Sequence, residues 1–399
     1  MQTTELGKAC EINPRIDKDI SLKEDCSFVP MEFVNDEFGI ITKQEIRRIS
    51  DVIKGYTFFK DEDVLFAKIT PCMENGKAAI AKRLKNGIGF GSTEFHVLRA
   101  KKEITIPQWI YYYIRQKNVR DLAERRMTGS AGQQRVPSSF LQEELLIPLP
   151  KPDEQKRIAE ILDKADRLRR QRRFAQTLSD SFLQSVFIKM FGDPRRNPNG
   201  YDIFELEDFV HSFQGGVNFN SVSESESDGW KVLKISAVTW GEFNPKESKS
   251  ISRDESFSDT FIVKKGDLLI SRANTTELVG AVCMVREKPP KVLLPDKLWR
   301  IKFINNSPLL PDYTLHLLRQ KHLRKIIGDL ATGSSGSMKN ISKEKAATLP
   351  IMLPPLPLQE KFAEIVQKFE RVRRQQREAT RQAEHLFQTL LHRAFRGEL

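Results

Sequence analysis

Two short stretches rich in glycine and serine contain the residues of this sequence best suited to binding a phosphate or a base edge. They are TGSAGQQR, which begins at Thr128, and TGSSGSMK, which begins at Thr332. Backbone amides, hydroxyls and a basic side chain in such a loop can approach a phosphate group, and glutamine can bind the edge of adenine in a major groove. The sequence leaves open a plainer alternative, in which each stretch is a tight turn that uses glycine for its positive φ angle.

Two basic residues, Lys68 and Arg272, follow the apolar stretches DVLFA and DLLIS, which have the composition of strands. A cation at the end of a strand is a candidate for contact with a phosphate, although a solvated side chain explains it equally well. The predicted nucleic-acid-binding residues are therefore Lys68, Gln133, Gln134, Arg135, Arg272, Ser337 and Lys339.

Catalytic signatures are missing from the sequence. It contains no GxxxxGK[ST] loop for a nucleotide, no Asn-Pro-Pro-aromatic or Asp-Pro-Pro-aromatic methyltransferase motif, and no metal-ligand spacing among its six histidines. The stretch PDEQK at Pro152 resembles a nuclease signature, but that site requires its carboxylates on adjacent strands around a metal. Asp153 fits better as the N-cap of a helix. We therefore expect no catalytic residue, no metal site and no cofactor bound by this chain.

The composition favours nucleic acid as the partner. The 399 residues are enough for two or three domains, and the net charge of +12 favours nucleic acid first and an acidic membrane surface second. No apolar run approaches the roughly 18 residues needed to span a bilayer, and we expect no signal peptide. The cysteines form no CxxC pair and are expected to be reduced thiols of a cytosolic protein; they are Cys10, Cys26, Cys72 and Cys283.

The sequence repeats itself along its whole length. An offset of 204 aligns Thr128 with Thr332 and, further along, Gln155 with Gln359, and we call this offset the repeat shift. Near the start of the chain the offset becomes 200, which a short insertion in the first copy explains. Two copies of one unit predict two similar domains related by a pseudo-twofold axis.

Each copy contains the same predicted elements in the same order. STEFHVLRA and KLWRIKF have the pattern of strands, and PQWIYYYIRQKNVRDLAERR and PDYTLHLLRQKHLRKIIGDL have the pattern of helices that begin at proline. The glycine-serine stretch, a short helix and a strand ending in prolines follow. The predicted fold class is α+β.

A long helix with heptad spacing is predicted after the prolines of each copy. The first seam consists of Ile158, Ile161, Ala165, Leu168, Arg172, Ala175, Ser179, Phe182 and Val186. The second consists of Phe362, Ile365, Phe369, Val372, Gln376, Ala379, Ala383, Leu386 and Leu390. We predict that the two helices form an antiparallel coiled coil in which the polar Arg172 and Gln376 set the register. The alternative is that each helix packs separately on its own domain.

The long helices also hold most of the net charge. Residues 156–189 carry +5 and residues 360–396 carry +4. This charge is explained either by a solvated helix face or by a basic spacer that lies near DNA or an acidic partner.

The glycine-serine turns, the hinges IPLPKPDEQKRIAEIL and LPPLPLQEKFAEIV, and the MFGDP that ends the first long helix resemble the specificity subunit of type I restriction-modification enzymes. The resemblance covers essentially the whole chain and its two-copy layout. It implies target recognition domains at residues 1–150 and 199–354, each followed by a spacer helix region, at residues 151–198 and 355–399.

The resemblance also implies a function without catalysis. Each domain is expected to bind half of a bipartite, asymmetric DNA target, while the spacer helices set the gap between the halves. Two modification subunits, which use S-adenosylmethionine to methylate adenine at N6, and restriction subunits, which use ATP and Mg²⁺, are the expected partners. The adenine must leave the duplex to be methylated. Two alternatives remain open: a DNA-binding protein that works without these subunits, and a coiled-coil scaffold without base recognition.

Overall fold

The computed structural model describes residues 2–17, 19–130, 132–223, 228–333 and 338–399, and it divides into two compact units. Unit 1 comprises Met1–Ala175 and Gln376–Leu399, and unit 2 comprises Gln176–Gln375. Both long helices therefore contribute residues to both units. The division expected from the sequence kept each spacer helix apart from the domains, whereas the compact units divide each helix near its middle because its two ends belong to different hydrophobic cores.

Unit 1 is built from short, mostly antiparallel strands and a few helices. Its strands are β1 (Thr3–Glu5), β2 (Cys10–Ile12), β3 (Asp25–Val29), β4 (Val34–Asn35), β5 (Ile40–Ile41), β6 (Glu45–Arg48), β7 (Thr57–Lys60), β8 (Val64–Ala67), β9 (Ala78–Ile80), β10 (Ile88–Gly91), β11 (Phe95–Ala100) and β12 (Leu146–Pro148). Its helices are α1 (Leu6–Ala9), α2 (Ile49–Val52), α3 (Pro107–Ile114), α4 (Lys117–Glu124) and the first part of α5 (Pro152–Phe191). The strands form two four-stranded sheets, β6-β3-β10-β7 and β2-β11-β8-β9, and the pairs β1-β12 and β4-β5.

Unit 2 repeats this plan with different strand lengths. Its strands are β13 (Ile203–Glu205), β14 (Val210–Gly215), β15 (Lys231–Leu233), β16 (Ser248–Ser250), β17 (Leu268–Ser271), β18 (Ala273–Asn274), β19 (Val282–Met284), β20 (Val292–Leu293), β21 (Leu298–Phe303), β22 (Lys339–Asn340) and β23 (Pro350–Met352). Its helices are α6 (Ser236–Thr239), α7 (Pro311–Leu318), α8 (Lys321–Leu330), α9 (Lys343–Ala347) and the first part of α10 (Leu356–Arg396). The strands form the sheets β14-β21-β17-β19 and β16-β15-β20 and the pairs β13-β23 and β18-β22. The α+β class predicted from the sequence is confirmed.

The predicted helix before each glycine-serine turn is in fact two helices, so this prediction was wrong. α3 ends at Ile114 and α4 begins at Lys117, with Gln116 between them in an extended conformation at ψ 140°. α7 and α8 are separated in the same way by Gln320 at ψ 138°. The break turns Arg319 back onto the domain, where its guanidinium donates to the carbonyl of Val282.

A buried glutamine joins each long helix to its domain. Gln155 and Gln359 are fully buried near the start of α5 and α10. The amide of Gln155 donates to the carbonyls of Ile104 and Pro150, both at 2.9 Å, and its oxygen accepts from the Thr105 hydroxyl at 2.9 Å. Gln359 likewise donates to two proline carbonyls and accepts from a main-chain amide. Each junction is a fixed hydrogen-bonded connection because all of these polar groups are satisfied inside the protein.

α5 begins one residue earlier than the predicted N-cap. Pro152 is its first residue, so Asp153 lies in the first turn and is not an N-cap. Its side chain is 97% exposed and forms an ion pair with Lys156 at 3.6 Å. Proline is favoured at the first helical position, and an acidic residue in the first turn still interacts favourably with the helix dipole.

In unit 1 the α5 and α10 segments pack against each other in opposite directions. Arg157 donates to the carbonyl of Leu399 at 2.7 Å, and Arg169 pairs with Glu384 at 3.3 Å. The buried apolar residues of these segments are Ile158, Ala159, Leu162, Ala165, Ala383, Phe387, Leu391 and Ala394. Three predicted seam residues are exposed here, namely Leu168, Arg172 and Leu386, while Ile161 and Gln376 are half-buried.

Unit 2 has the same antiparallel packing. Phe182 stacks on Phe369 with ring centroids 4.9 Å apart, and Phe187 contacts Phe362 at 5.6 Å. The buried residues of its two segments are Leu183, Phe187, Phe191, Phe362 and Val366. Among the predicted seam residues, Ile365 and Phe369 are half-buried, while Phe182 and Val372 are 44% and 48% exposed.

The predicted seam was therefore displaced by one residue at alternate positions. At these positions the next residue is buried or mostly buried in both helices, which gives four pairs related by the repeat shift, namely Leu162 and Val366, Arg169 and Arg373, Leu183 and Phe387, and Phe187 and Leu391. A regular α-helix has 3.6 residues per turn, so its contact face drifts away from a strict 3.5-residue repeat. The heptad chosen from the sequence followed one edge of a wider apolar face.

No helix within the described residues combines the length and the apolar character needed to cross a bilayer.

Candidate nucleic-acid interface

The first glycine-serine stretch is a hairpin loop closed by Thr128 and Arg135. Their main chains exchange two hydrogen bonds, at 3.0 and 2.9 Å. Gly129 and Gly132 have φ angles of 120° and 79°, which favour glycine. The tight-turn interpretation is therefore correct for the backbone. It is compatible with a binding role because the loop leaves Gln133 and the residue after it exposed.

Lys68 lies at the base of this loop. Its carbonyl accepts from the amide of Val136 at 2.9 Å, and its own amide donates to the carbonyl of Glu94 at 2.9 Å. Two residues later, the amide of Thr70 donates to the carbonyl of Gln134 at 3.0 Å. The predicted binding residues of the first copy are thus brought together on one surface, although Lys68 is far from the loop in the sequence.

Arg135 is held by a carboxylate of the protein. Its Nε and Nη2 donate to the two oxygens of Glu94 at 2.9 and 2.8 Å, and its Nη1 donates to the carbonyl of Gln133 at 2.8 Å. These hydrogen bonds from Arg135 hold the pKa of Glu94 below its usual range, and they raise the pKa of Arg135 in turn. The guanidinium shapes the loop, and with 40% of its side chain exposed it can still face an anion.

His96 supports the same loop and was not identified from the sequence. The ring, which is 4% exposed, lies between the carbonyl of Val136 at 2.8 Å and the amide nitrogen of Asn13 at 3.1 Å. Burial lowers the pKa of His96, so the ring is neutral, donating from Nε2 and accepting at Nδ1. His96 positions the loop and does not contribute charge to it.

The described ends of the second glycine-serine stretch pair in the same way, one residue further apart than in the first. Thr332 and Asn340 close it with two main-chain hydrogen bonds of 2.8 Å. Lys339 pairs with Asn274 between β22 and β18, and the amide of Ile341 donates to the carbonyl of Arg272 at 2.9 Å. Arg272 and Lys339 therefore lie together, as Lys68 and Arg135 do in unit 1. Ser337, also predicted as a binding residue, lies outside the described residues.

An aspartate directly precedes the equivalent strand in each unit, β8 in unit 1 and β17 in unit 2, and it pairs with a different arginine in each. Asp63 accepts from a main-chain amide three residues earlier and pairs with Arg99 at 2.7 Å. Asp267, its counterpart under the repeat shift, accepts from the equivalent amide and pairs with Arg300 at 2.7 Å. Arg300 is not the counterpart of Arg99 in the repeat. The two copies therefore share a backbone arrangement, whereas the side chains around it differ.

Within the residues that the structure describes, no cluster of three or more His, Cys, Asp or Glu side chains is arranged to hold a metal ion.

The chain matches the family model described as the type I restriction modification DNA specificity domain. It covers residues 1–173 and again residues 198–383. The match occurs twice, once in each copy of the repeat, and together the two regions cover most of the chain.

Several specificity subunits of type I restriction enzymes from Escherichia coli are similar to the chain. The EcoEI subunit is 28% identical, over 98% of this chain and 80% of its own length. The EcoAI subunit is 44% identical, but only over 39% of this chain and 26% of its own length.

Two solved structures share the fold. The type I restriction-modification S subunit from M. genitalium has a TM-score of 0.58 and 14% identity, covering 99% of this chain and 96% of that one. A chain from a structure of type I R-M complex assembly and conformational transition has a TM-score of 0.55 and 20% identity, covering 100% of this chain and 98% of that one.

Proposed function

The chain belongs to the type I restriction modification DNA specificity family, and from this premise we propose that its two units each bind one half of a bipartite, asymmetric DNA target. It is a sequence-specific DNA-recognition subunit of a restriction-modification system. One observation carries the proposal: each unit presents a glycine-serine loop beside the end of a strand, in matched positions but with different side chains. Similar frames with different side chains are suited to two half-sites of different sequence.

The subunit has no catalytic role in this proposal. Modification subunits bind S-adenosylmethionine and methylate adenine at N6, and restriction subunits supply the ATP- and Mg²⁺-dependent cleavage. This chain contributes the choice of sequence. The names of its relatives, which are specificity subunits of type I restriction enzymes, support this division of labour.

We propose that α5 and α10 form one antiparallel coiled coil that sets the gap between the half-sites. The helices have 40 and 41 residues, which corresponds to a length of about 60 Å each. The antiparallel packing inside each unit supports this arrangement. So does the equivalence of the buried positions of the two helices under the repeat shift.

We propose that the modification subunits dock on the apolar stripe that the long helices leave exposed. The exposed apolar side chains include Leu168, Phe174, Leu178 and Phe182 on α5 and Val372 and Leu386 on α10. Phe174 and Leu178 are 60% and 56% exposed. An exposed apolar stripe of this kind is typical of a protein-protein interface.

Co-expression with the modification subunits tests the function directly. The host must lack other adenine methylation, and N6-methyladenine is mapped by sequencing. We expect a split motif with a gap of unspecified bases, methylated on both strands. Methylation of one short continuous motif would mean that only one unit recognises bases. A soluble complex that methylates nothing would contradict the proposed role and favour a DNA-binding protein or scaffold that works without methylation.

A further inference from the structure

Trp240 is the most exposed large apolar side chain in the described part of the chain. Its relative exposure is 79%, whereas Trp109 and Trp299 are at most 2% exposed and Trp230 is half-buried. Indole offers a large, flat, rigid surface, and tryptophan is enriched where proteins contact their partners. Single exposed apolar residues are common on protein surfaces, so a binding role for Trp240 depends on the residues around it.

The main chain on both sides of Trp240 is held firmly. The hydroxyl of Thr239 accepts from the side-chain amide of Asn274 at 3.3 Å and donates to the carbonyl of Ile235 at 3.0 Å. The carbonyl of Gly241 accepts from the guanidinium of Arg319. These contacts hold the segment that carries the indole. A contact residue that is already in place loses little conformational entropy when it binds.

Glu242 extends the anchoring of this turn onto the long helix. Its carboxylate pairs with Arg373 of α10 at 2.5 Å, within unit 2. The turn that carries Trp240 is thus tied to β18 through Asn274 and to α10 through Arg373, while the indole itself remains in solvent.

The position of Trp240 is next to the candidate interface of unit 2. Asn274, which bonds to the residue before Trp240, lies in β18 and pairs with Lys339 of the glycine-serine loop. Arg272 lies two residues before Asn274 and bonds through its carbonyl to Ile341. The exposed indole and two cations therefore belong to one connected part of the surface.

In unit 1 the counterpart of Arg319 under the repeat shift is Arg115, and its guanidinium contacts the segment that begins at Asn35. There, Arg115 donates to the carbonyl of Asp36 at 3.0 Å, as Arg319 does to the carbonyl of Gly241. Asn35, the residue before Asp36, is half-buried, and its side chain accepts from the amide of Phe38 at 2.6 Å. This segment of unit 1 contains no tryptophan, so the exposed indole is a feature of unit 2.

We propose that Trp240 stacks against a base in the DNA half-site bound by unit 2. The inference rests on the proposed function and adds a residue to it. The bases of a duplex cover one another, so a base face becomes free only where a base leaves the stack, as the adenine must for methylation. Stacking of tryptophan on such a face contributes affinity with little preference for sequence. The neighbouring Arg272 and Lys339 hold the phosphate backbone while the indole meets the base. Trp240 therefore strengthens binding at one half-site, and the identity of that half-site is decided by other residues.

The test uses the full chain in complex with its modification subunits and a duplex that contains the mapped target. Trp240→Ala should weaken binding about 10- to 100-fold, and Trp240→Phe should retain most of the affinity because it keeps an aromatic face. Ile203→Ala, which removes an apolar side chain of the same unit that is 59% exposed, is the matched control and should change the affinity less than about twofold. The methylated motif should be the same for all four proteins.

Fluorescence provides a second readout. DNA should quench part of the tryptophan emission of the wild-type complex, and this part should be missing from Trp240→Phe. An affinity of Trp240→Ala within about twofold of wild type would overturn the inference while the proposed function stands. Loss of complex assembly with unchanged DNA affinity would also overturn it, by assigning Trp240 to a protein contact. A wild-type complex that binds all duplex sequences equally would contradict the proposed function itself.

Discussion

Arg135 and Glu94 form an ion pair between residues that lie far apart in the sequence. The basic residue at the end of the loop was predicted from its type and position, but its partner lies 41 residues earlier on another segment. Only the folded chain brings them together. The types of the exposed loop residues were therefore predictable, whereas the ion pair and the supporting His96 were not, because no local pattern identifies such partners.

Substitutions at this pair separate a DNA contact from a structural role. Arg135→Ala should weaken binding to the target about tenfold if the guanidinium faces a phosphate or base. Glu94→Gln should leave binding unchanged or stronger, because it removes a competing carboxylate. Binding is measured by anisotropy of a labelled duplex. An equal loss in both variants would show that Arg135 only holds the loop.

The same pair predicts a dependence of stability on pH. Because the pKa of Glu94 in the folded chain lies below its ordinary value of 4.5, the pair stabilises the fold above that value and loses this effect as the pH falls through the lowered pKa. Between about pH 8 and pH 5 the wild type should exceed Glu94→Gln by a constant difference in melting temperature. The difference should vanish in stronger acid. A difference that changes already near pH 7 would be inconsistent with a lowered pKa.

At the scale of elements, the long helices were predicted in full and their contact face only in part. Periodicity along the sequence shows that a helix is apolar on one side, and the repeat shows that there are two such helices. It does not show which edge of that side meets the partner helix, because an apolar face can be wider than one contact. Leu162 is fully buried, whereas Leu168 is 39% exposed, although both fall within the apolar face.

This difference can be measured directly. Leu162→Ala should lower the free energy of unfolding by about 2–4 kcal/mol, because it leaves a cavity in a packed core. Leu168→Ala should cost less than about 1 kcal/mol in the isolated chain. Urea denaturation of both variants provides the comparison. Equal decreases in the free energy of unfolding would support the heptad predicted from the sequence.

Helix length offers a test of the proposed spacer. Seven residues inserted in α5 after Ala175 and seven in α10 after Gln376 preserve the helical face and add about 10 Å to each helix. The gap in the methylated motif should grow by about three base pairs, at roughly 3.4 Å per pair. Two residues inserted in α5 alone should abolish methylation, because they rotate the following contact face by about 200° away from the partner helix. An unchanged gap after the paired insertion would rule out the spacer role.

At the scale of the whole molecule, the repeat relates the ends of the two long helices. The end of α10 places Phe387 and Leu391 in the core of unit 1, and Phe395 packs on Trp109 with ring centroids 4.3 Å apart. The end of α5 places Leu183 and Phe187 in the core of unit 2. These residues correspond through the repeat shift, so the end of either helix carries residues suited to either core. The two-copy layout was predictable from the sequence, but this exchange of helix ends was not.

A shortened chain should dimerise because the two helix ends are equivalent. Residues 1–198 lack the segment of α10 that covers unit 1 but retain the corresponding end of α5. We expect two such chains to pair, each covering the other, and with modification subunits to methylate a target whose two halves are identical. Light scattering and methylation mapping check this outcome. A stable monomer would show that the two helix ends are not interchangeable.

The same arrangement has a consequence for synthesis on the ribosome. Unit 2 is one continuous stretch, Gln176–Gln375, and all of its residues are available as soon as that stretch has emerged. Unit 1 begins to appear first, yet its core stays open until the segment from Gln376 to Leu399 has followed. The order of completion is therefore opposite to the order of translation. Throughout that interval the apolar face of unit 1 is exposed. A nascent chain is then most prone to associate with another chain that is being translated from the same messenger RNA.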